Sequence, residues 1–260
     1  MTPKGASRHV LAACVAVAVL LGLGGVTVAK SCQGGKVEQR SARRGPERQE
    51  PPSRGPRPSK RDPRPVEDGG PRLARVSLAR LDVTEGELRP GTDDELTVDG
   101  PRMRAVVPGT HAASAELRFK VLGPTSEQRA LASGEQRQQV GLKLRALDGC
   151  NLVYVMWRIA PKPGIVVNYK RNPGQHTSRE CGNGGYTTVR PKRRASVEAP
   201  APGTSHTLRA RLDGSTLRVW ADGSLAWEGD LPAEALAIDG PVGLRSDNVR
   251  VALQLYSPLP

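Results

Sequence analysis

The chain has 260 residues, enough for one or two domains once segments that cannot join a core are set aside. Its net charge of +13 suits an anionic partner, but most of that charge precedes residue 73, and aromatic residues are only 3% of the chain. Stacking rings beside the basic clusters are too few for a platform that binds single strands, so nucleic acid is excluded from the expected partners.

The first predicted element is an uncharged apolar run over residues 10–29, which follows Lys4 and Arg8. Its length is close to the ~20 residues that span a bilayer as a helix, and it closes on small residues that suit signal peptidase. We expect residues 1–29 to form a hydrophobic helix that is either a cleaved signal peptide or an uncleaved signal anchor. The membrane is the expected partner of this segment.

The second segment, residues 30–72, is rich in Arg, Pro, Gly, Ser and Glu and is nearly free of apolar side chains. Such a composition cannot bury enough surface to offset the entropy lost on folding, so we predict a disordered linker. Its positive charge would attract anionic lipid or cell-wall polymer. The alternative is a solvated spacer without a partner.

From residue 73 onward, short alternating segments are separated by turn residues, and no long stretch has the 3.6-residue period of an amphipathic helix. The pattern predicts one all-β domain over residues 73–260. Strands of this length and number suit two antiparallel sheets packed face to face, a β-sandwich or jelly roll. The expected strands are residues 75–83, 103–107, 115–122, 140–147, 152–160, 165–170, 206–212, 216–221, 224–228, 242–245 and 249–255.

Two Asp-Gly pairs predict tight hairpin turns, because these residues supply the positive φ that two-residue turns require. They are Asp213-Gly214 and Asp222-Gly223, and they divide residues 206–228 into a three-strand meander. Along this meander apolar residues alternate with arginines, which indicates a sheet that is buried on one face.

The closing strands resemble those of the concanavalin A-like lectin/glucanase superfamily, in particular its laminin G-like and 3-keto-disaccharide hydrolase-like branches. The resemblance covers roughly residues 100–257 and rests on Asp222-Gly223, on the GPVGL segment at 240–244 and on QQVGLKLR at 138–145. It implies a lectin-like sandwich with a carbohydrate partner. Motifs made of strands and turns indicate a fold, and they say almost nothing about activity.

Cys150 and Cys181 are most simply interpreted as a disulfide formed in an oxidising compartment. With the apolar N-terminal run, the pair predicts an extracytoplasmic protein of the bacterial cell envelope, periplasmic or at the surface, either membrane-anchored or secreted. The basic residues that follow the apolar run favour the opposite orientation.

Between these cysteines, PKPG at residues 161–164 predicts a hairpin with a four-residue loop. Its polar face would offer rings to the C–H groups of a sugar and guanidinium groups to hydroxyl or acidic substituents. A change of one residue in the loop would exchange the faces of one strand relative to the other. The alternative is that Tyr154, Met156 and Tyr169 face the second sheet. The predicted register groups Tyr154, Met156 and Arg158 with Tyr169 and Arg171.

The candidate carbohydrate-binding residues are therefore Tyr154, Arg158, Tyr169, Arg171 and His176, the last of which lies in the loop before Cys181. No metal site is predicted from the scattered histidines. The resemblance leaves calcium open as a cofactor, bound by Asp148, Asp247 and backbone carbonyls.

No catalytic residue is predicted. Retaining glycosidases of the superfamily place two carboxylates at alternating positions of one strand, and residues 142–147 and 152–160 contain neither Asp nor Glu. We expect a non-catalytic envelope protein that binds a carbohydrate or an anionic envelope polymer. The alternatives are a glycan hydrolase or lyase, and a structural or protein-interaction domain.

Overall fold

The computed structural model describes residues 71–258. The predicted signal segment 1–29 and nearly all of the predicted linker 30–72 lie outside the described residues. Within the described part, one sheet has nine strands and the other has seven, and all their pairings are antiparallel. The all-β, two-sheet sandwich predicted from the sequence is confirmed.

The strands are numbered in chain order across both sheets. They are β1 (Leu73–Arg75), β2 (Asp82–Glu85), β3 (Arg89–Pro90), β4 (Leu96–Val98), β5 (Arg102–Val106), β6 (Ser114–Pro124), β7 (Gln138–Leu144), β8 (Leu152–Ala160), β9 (Gly164–Lys170), β10 (Tyr186–Thr188), β11 (Arg193–Arg194), β12 (Ser205–Asp213), β13 (Thr216–Ala221), β14 (Ser224–Asp230), β15 (Gly243–Asp247) and β16 (Val249–Pro258).

The nine-stranded sheet has the order β11-β14-β13-β12-β6-β16-β4-β3, and β1 also pairs with β16. The seven-stranded sheet has the order β10-β9-β8-β7-β15-β5-β2. Two helices of one turn, α1 (Ser178–Cys181) and α2 (Ala233–Leu236), lie in connections. No helix within residues 71–258 is long and apolar enough to cross a membrane.

The predicted strand 75–83 is wrong as a single element. The chain leaves the nine-stranded sheet at Arg75, turns through a 3-10 helix over Leu78–Arg80 and joins the seven-stranded sheet at Asp82. Strands β3, β4, β10 and β11 were not predicted, because segments of two or three residues are too short to show an alternating pattern.

The meander of β12, β13 and β14 forms as predicted. Ala221 pairs with Ser224, so that hairpin closes on Asp222-Gly223, and both turn residues have a positive φ. The preceding hairpin closes one residue later than predicted, on Gly214-Ser215, because Asp213 pairs with Thr216.

The core lies between the two sheets and is built from alternate residues of their facing strands. The ring of Phe119 on β6 meets the ring of Trp157 on β8 edge to face, with centroids 5.7 Å apart, and joins the sheets. The other large buried contributors from the seven-stranded sheet are Met103, Val140, Leu142, Leu144, Val153, Val155, Ile165, Val167, Tyr169 and Leu244.

The register of the β8–β9 hairpin differs from the prediction. Arg158 pairs with Gly164 and Val153 pairs with Tyr169, a shift of three positions, while the end of β8 runs past the hairpin to pair with β7. An odd shift exchanges the faces of one strand relative to the other. The predicted grouping of Tyr169 with Tyr154 is therefore wrong: Tyr169 is 7% exposed and belongs to the core between the sheets.

We predict that Tyr169→Ala lowers the free energy of unfolding by about 3–5 kcal/mol, because it empties the space of a buried aromatic ring. Tyr169→Phe keeps the ring and removes only the hydrogen bond that the hydroxyl donates to Glu234, 2.8 Å long, so it should cost about 1 kcal/mol. Denaturant unfolding measures both values. Wild-type stability in the alanine variant would contradict the observed register.

Candidate functional site

A cleft of about 280 Å³ lies on the outer face of the seven-stranded sheet, opposite the core. Its floor consists of alternate residues of β5, β7, β8, β9 and β15, and its walls come from the loop before β7 and from the segment that contains α1. The floor residues are Arg102, Arg104, Gln139, Tyr154, Met156, Arg158, Asn168, Lys170 and Arg245, and the wall residues include Leu131, Glu135, Arg137, Ser178, Gly182, Asn183 and Tyr186.

The cleft is electropositive. Among the described residues that line it, the carboxylates are Glu85 and Glu135, while the cations number six: Arg102, Arg104, Arg137, Arg158, Lys170 and Arg245. Low-dielectric walls of one charge sign focus the field on the space between them. An anionic or hydroxyl-rich ligand therefore suits this surface better than a cationic one.

Asp247, which is completely buried at the end of β15, organises the floor. Its Oδ1 accepts a hydrogen bond from Arg104, and its Oδ2 accepts one from Arg245 and one from Gln139, at 2.8, 2.8 and 2.6 Å. Burial would raise the pKa of this carboxyl, but the two guanidinium groups and the amide prevail and lower the pKa to about 2. Asp247 stays ionised and holds both arginines in place.

Lys143 lies on the same face of β7, opposite Tyr154, and is 3% exposed. Its ammonium has no hydrogen bond or ion pair within residues 71–258. Burial, followed by the positive charges of Arg104 and Arg245, lowers the pKa of Lys143 to about 8. Concentrating like charges under one surface costs stability, which is typical of a site kept for binding.

One end of the cleft is aromatic. The rings of Tyr154 and Tyr186 stack with centroids 6.0 Å apart, and the Arg245 guanidinium lies 4.6 Å from the centroid of the Tyr154 ring. Arg245 also donates to the hydroxyl of Tyr186, and the Lys170 ammonium lies 5.0 Å from the centroid of that ring. Tyr186 is 37% exposed, so part of this residue meets solvent.

The surroundings of the two phenols shift their pKa values in opposite directions. Burial raises the pKa of Tyr154 to about 12. Burial acts in the same sense on Tyr186, but Arg245 and Lys170 outweigh it and lower the pKa of that phenol. Tyr154 is therefore uncharged at neutral pH, and Tyr186 is the more exposed of the two residues.

The predicted disulfide between Cys150 and Cys181 is confirmed, with the Cα atoms 6.0 Å apart. It ties α1 to the start of β8. Lys170 supports the same segment, because its ammonium donates to the carbonyl of Gly182 at 2.9 Å. Since Ser178, Gly182 and Asn183 line the cleft, the disulfide secures one of its walls.

Of the candidate ligand residues, Tyr154 and Arg158 both line the cleft. They lie on one face of β8, as predicted. Their role in binding stays a prediction.

The other three candidates do not line the cleft. Tyr169 and exposed Arg171 both interact with Glu234 of α2. The pKa of Glu234 is lowered first by a hydrogen bond from its own backbone N–H, then by the Tyr169 hydroxyl and the charge of Arg171. His176 is exposed, and its Nδ1 lies 2.9 Å from Oδ2 of Asp148. The surface predicted to unite Tyr169 and Arg171 with Tyr154 is therefore wrong, because it assumed the other hairpin register. A role of His176 in binding stays a prediction.

Sequence reasoning missed most of the cleft. Arg102 and Arg104 alternate with apolar residues of β5, and Arg245 and Asp247 alternate with Leu244 and Ser246 of β15. The sequence signal for this cleft was the presence of charged residues at alternate positions of strands whose other positions are buried. Tyr186 had no such signal, because its strand has three residues.

Calcium binding by Asp148 and Asp247 stays a prediction that the contacts disfavour. Both oxygens of Asp247 accept hydrogen bonds from cationic or amide groups, and those of Asp148 accept from Cys150, Asn151 and His176. Within residues 71–258, no cluster of three or more His, Cys, Asp or Glu residues could hold a metal ion.

Comparisons with known proteins give only distant likenesses. No protein-family model matches the chain, and no curated protein matches it by sequence. Among solved structures, the carbohydrate-binding module CBM66 from Bacillus subtilis is 10% identical, with a TM-score of 0.47, over 67% of this chain and 91% of that one.

Domain 4 of an extracellular arabinanase from Geobacillus stearothermophilus is 10% identical, with a TM-score of 0.39, over 68% of this chain and 82% of that one. A tetrameric galectin from the sponge Cinachyrella is 13% identical, with a TM-score of 0.38, over 61% of this chain and 100% of that one. Likenesses at this level do not identify a function.

We predict that Asp247→Asn lowers the free energy of unfolding by about 3–5 kcal/mol, because it leaves Arg104 and Arg245 buried without their shared anion. Asp239→Asn is the control, since Asp239 is exposed and pairs with exposed His111. It should cost less than about 1 kcal/mol. Denaturant unfolding at neutral pH measures both, and equal losses would show that Asp247 does not organise the floor.

The same carboxylate predicts a pH dependence. Its pKa is lower in the folded protein than the ordinary 3.8, so its stabilising contribution is complete well above pH 3.8 and is lost as the pH falls toward 2. The stability difference between wild type and Asp247→Asn should therefore shrink by about 2 kcal/mol across that window. A difference independent of pH would contradict this assignment.

For the disulfide, we predict that Cys150→Ala/Cys181→Ala lowers the free energy of unfolding by about 3–4 kcal/mol, because the bond closes a loop with a sequence separation of 31 residues. Wild-type protein treated with reductant should unfold like the double variant. Mass spectrometry without reduction should find the two cysteines joined, and free thiols in protein isolated from its host would contradict the bond.

Proposed function

We propose that this protein is a non-catalytic carbohydrate-binding protein and that the cleft on the outer face of the seven-stranded sheet is its binding site. The supporting observation is the Tyr154–Tyr186 stack beside a charged and amide-lined floor. Aromatic faces suit the C–H side of a sugar ring, while guanidinium and amide groups suit its hydroxyls. The strands that carry the floor make the site largely preformed.

The non-catalytic part of the proposal rests on the carboxylates. Glu85 lies within 3.7 Å of Arg102 and 3.6 Å of Arg104, and Glu135 pairs with Arg137. A glycoside hydrolase needs one carboxylic acid that gives up a proton and a second carboxylate across the bond that breaks. Both carboxylates of the cleft lining are engaged by arginines and are not placed as such a pair.

The proposed location is the bacterial cell envelope, outside the cytoplasm. The disulfide supports it, because such bonds persist in oxidising compartments. The apolar run at residues 10–29 is the sequence feature that would direct export. Contact of residues 30–72 with anionic envelope polymer or lipid belongs to the same proposal.

We predict that Tyr186→Ala weakens glycan binding by at least about tenfold, because it removes the exposed stacking face. Tyr256→Ala is the matched control: its ring also lies against a cation, with the carbon of the Arg118 guanidinium 4.4 Å from the centroid, but on the nine-stranded sheet. It should leave affinity unchanged. Unfolding curves of both variants establish that the fold is intact.

A glycan array with the full chain would supply the ligand, and calorimetry would give the affinities. Binding to none of the glycans would overturn the proposed function. Turnover of a bound oligosaccharide, followed by mass spectrometry, would replace it with the hydrolase or lyase alternative.

A further inference from the structure

We propose that the ligand is an acidic oligosaccharide and that Arg158, with Arg137 beside it, binds a carboxylate of one of its sugars. This inference rests on the proposed function and specifies the class of carbohydrate. It assigns a second part of the cleft, away from the stacked tyrosines, to recognition of charge.

Among the described residues that line the cleft, Arg158 is the cation without a hydrogen-bond or ion-pair partner. Arg104 and Arg245 are paired with Asp247, and Arg137 with Glu135. No hydrogen bond or ion pair within residues 71–258 involves the Arg158 guanidinium, and its Nε is buried without an acceptor. A half-buried guanidinium in this state carries a desolvation cost that a bound anion would offset.

The neighbours of Arg158 strengthen the case for an anion. The Nε atoms of Arg102 and Arg137, which line the same cleft, are also buried without acceptors. Burial and then the charge of Arg137 lower the pKa of Arg158, while Glu135 only partly compensates. Arg158 thus lies beside like charges, and three Nε donors of the cleft have no acceptor within residues 71–258.

The chemistry of the donors favours a carboxylate. A guanidinium group is planar and presents paired N–H donors that match the two oxygens of a carboxylate. The adjoining floor contains the Asn168 amide and the Oε1 of Gln139, which has no hydrogen-bond partner within residues 71–258, and both suit the hydroxyls of the same sugar. An acidic sugar combines both kinds of acceptor in one ring.

The spacing indicates an oligosaccharide. Tyr154 and Arg158 are four residues apart on β8, which corresponds to about 13 Å along the strand. A ring that stacks on Tyr186, beside Tyr154, cannot also place its substituent on Arg158. The stacked sugar and the acidic sugar are therefore different units of one chain.

Calorimetry on the full chain can test this with oligomers of galacturonate, glucuronate, mannuronate and guluronate, each compared with its carboxyl-reduced neutral form. At least one acidic oligomer should bind about tenfold or more tightly than its reduced form, and added salt should diminish the preference. Arg158→Gln should abolish the preference, whereas Arg158→Lys should retain part of it, because it keeps the charge but loses the planar fork.

Arg171→Gln is the matched control, because it removes the same charge from an exposed arginine outside the cleft lining and should leave the preference intact. Equal affinity for acidic and reduced forms, or a preference that survives in Arg158→Gln, would overturn the inference and leave the proposed function standing. Tighter binding of a sulfated neutral oligosaccharide would overturn the choice of carboxylate. Failure of a wider glycan array as well would count against the proposed function itself.

Discussion

The buried carboxylate of Asp247 is the constraint on which the candidate site depends. A fully buried charge costs much stability unless it is paired and hydrogen-bonded, and here two guanidinium groups and an amide satisfy the carboxylate. Because Asp247 holds Arg245, Arg245 can lie against Tyr154, and Tyr154 in turn stacks on Tyr186. A single anion below the floor thus orders a series of side chains that ends at the solvent-exposed ring.

The sandwich supplies two faces with different tasks. On the inner face of the seven-stranded sheet, apolar residues such as Leu142 and Val155 pack against the other sheet and provide the stability. On the outer face, Lys143 and Arg158 are partly or wholly removed from water without a partner within residues 71–258, which costs stability. The fold can therefore carry a strongly basic surface, because the stability gained in the core offsets the stability lost at the site.

The disulfide joins the fold to the site. Cys150 precedes β8, and Cys181 ends the helical turn that forms one wall of the cleft. Glu180 secures the same turn, because its side chain accepts hydrogen bonds from the backbone N–H groups of His176 and Thr177, each 2.8 Å long. The disulfide thus ties this turn to the start of β8, and the Glu180 hydrogen bonds hold the turn itself together.

Alternation of apolar and polar residues, Asp-Gly turns and the two cysteines were enough to predict the sandwich, its meander and its disulfide, because each is a local signal repeated along the chain. They also placed Tyr154 and Arg158 on one strand face. The position of Tyr169 could not be predicted, because the register of β8 against β9 depends on where the hairpin closes. A register shift by an odd number of residues moves a ring from the surface into the core. The assembly of Arg104, Arg245 and Tyr186 into one cleft was decided only by the tertiary structure, because strands distant in sequence become neighbours only when the sheet forms.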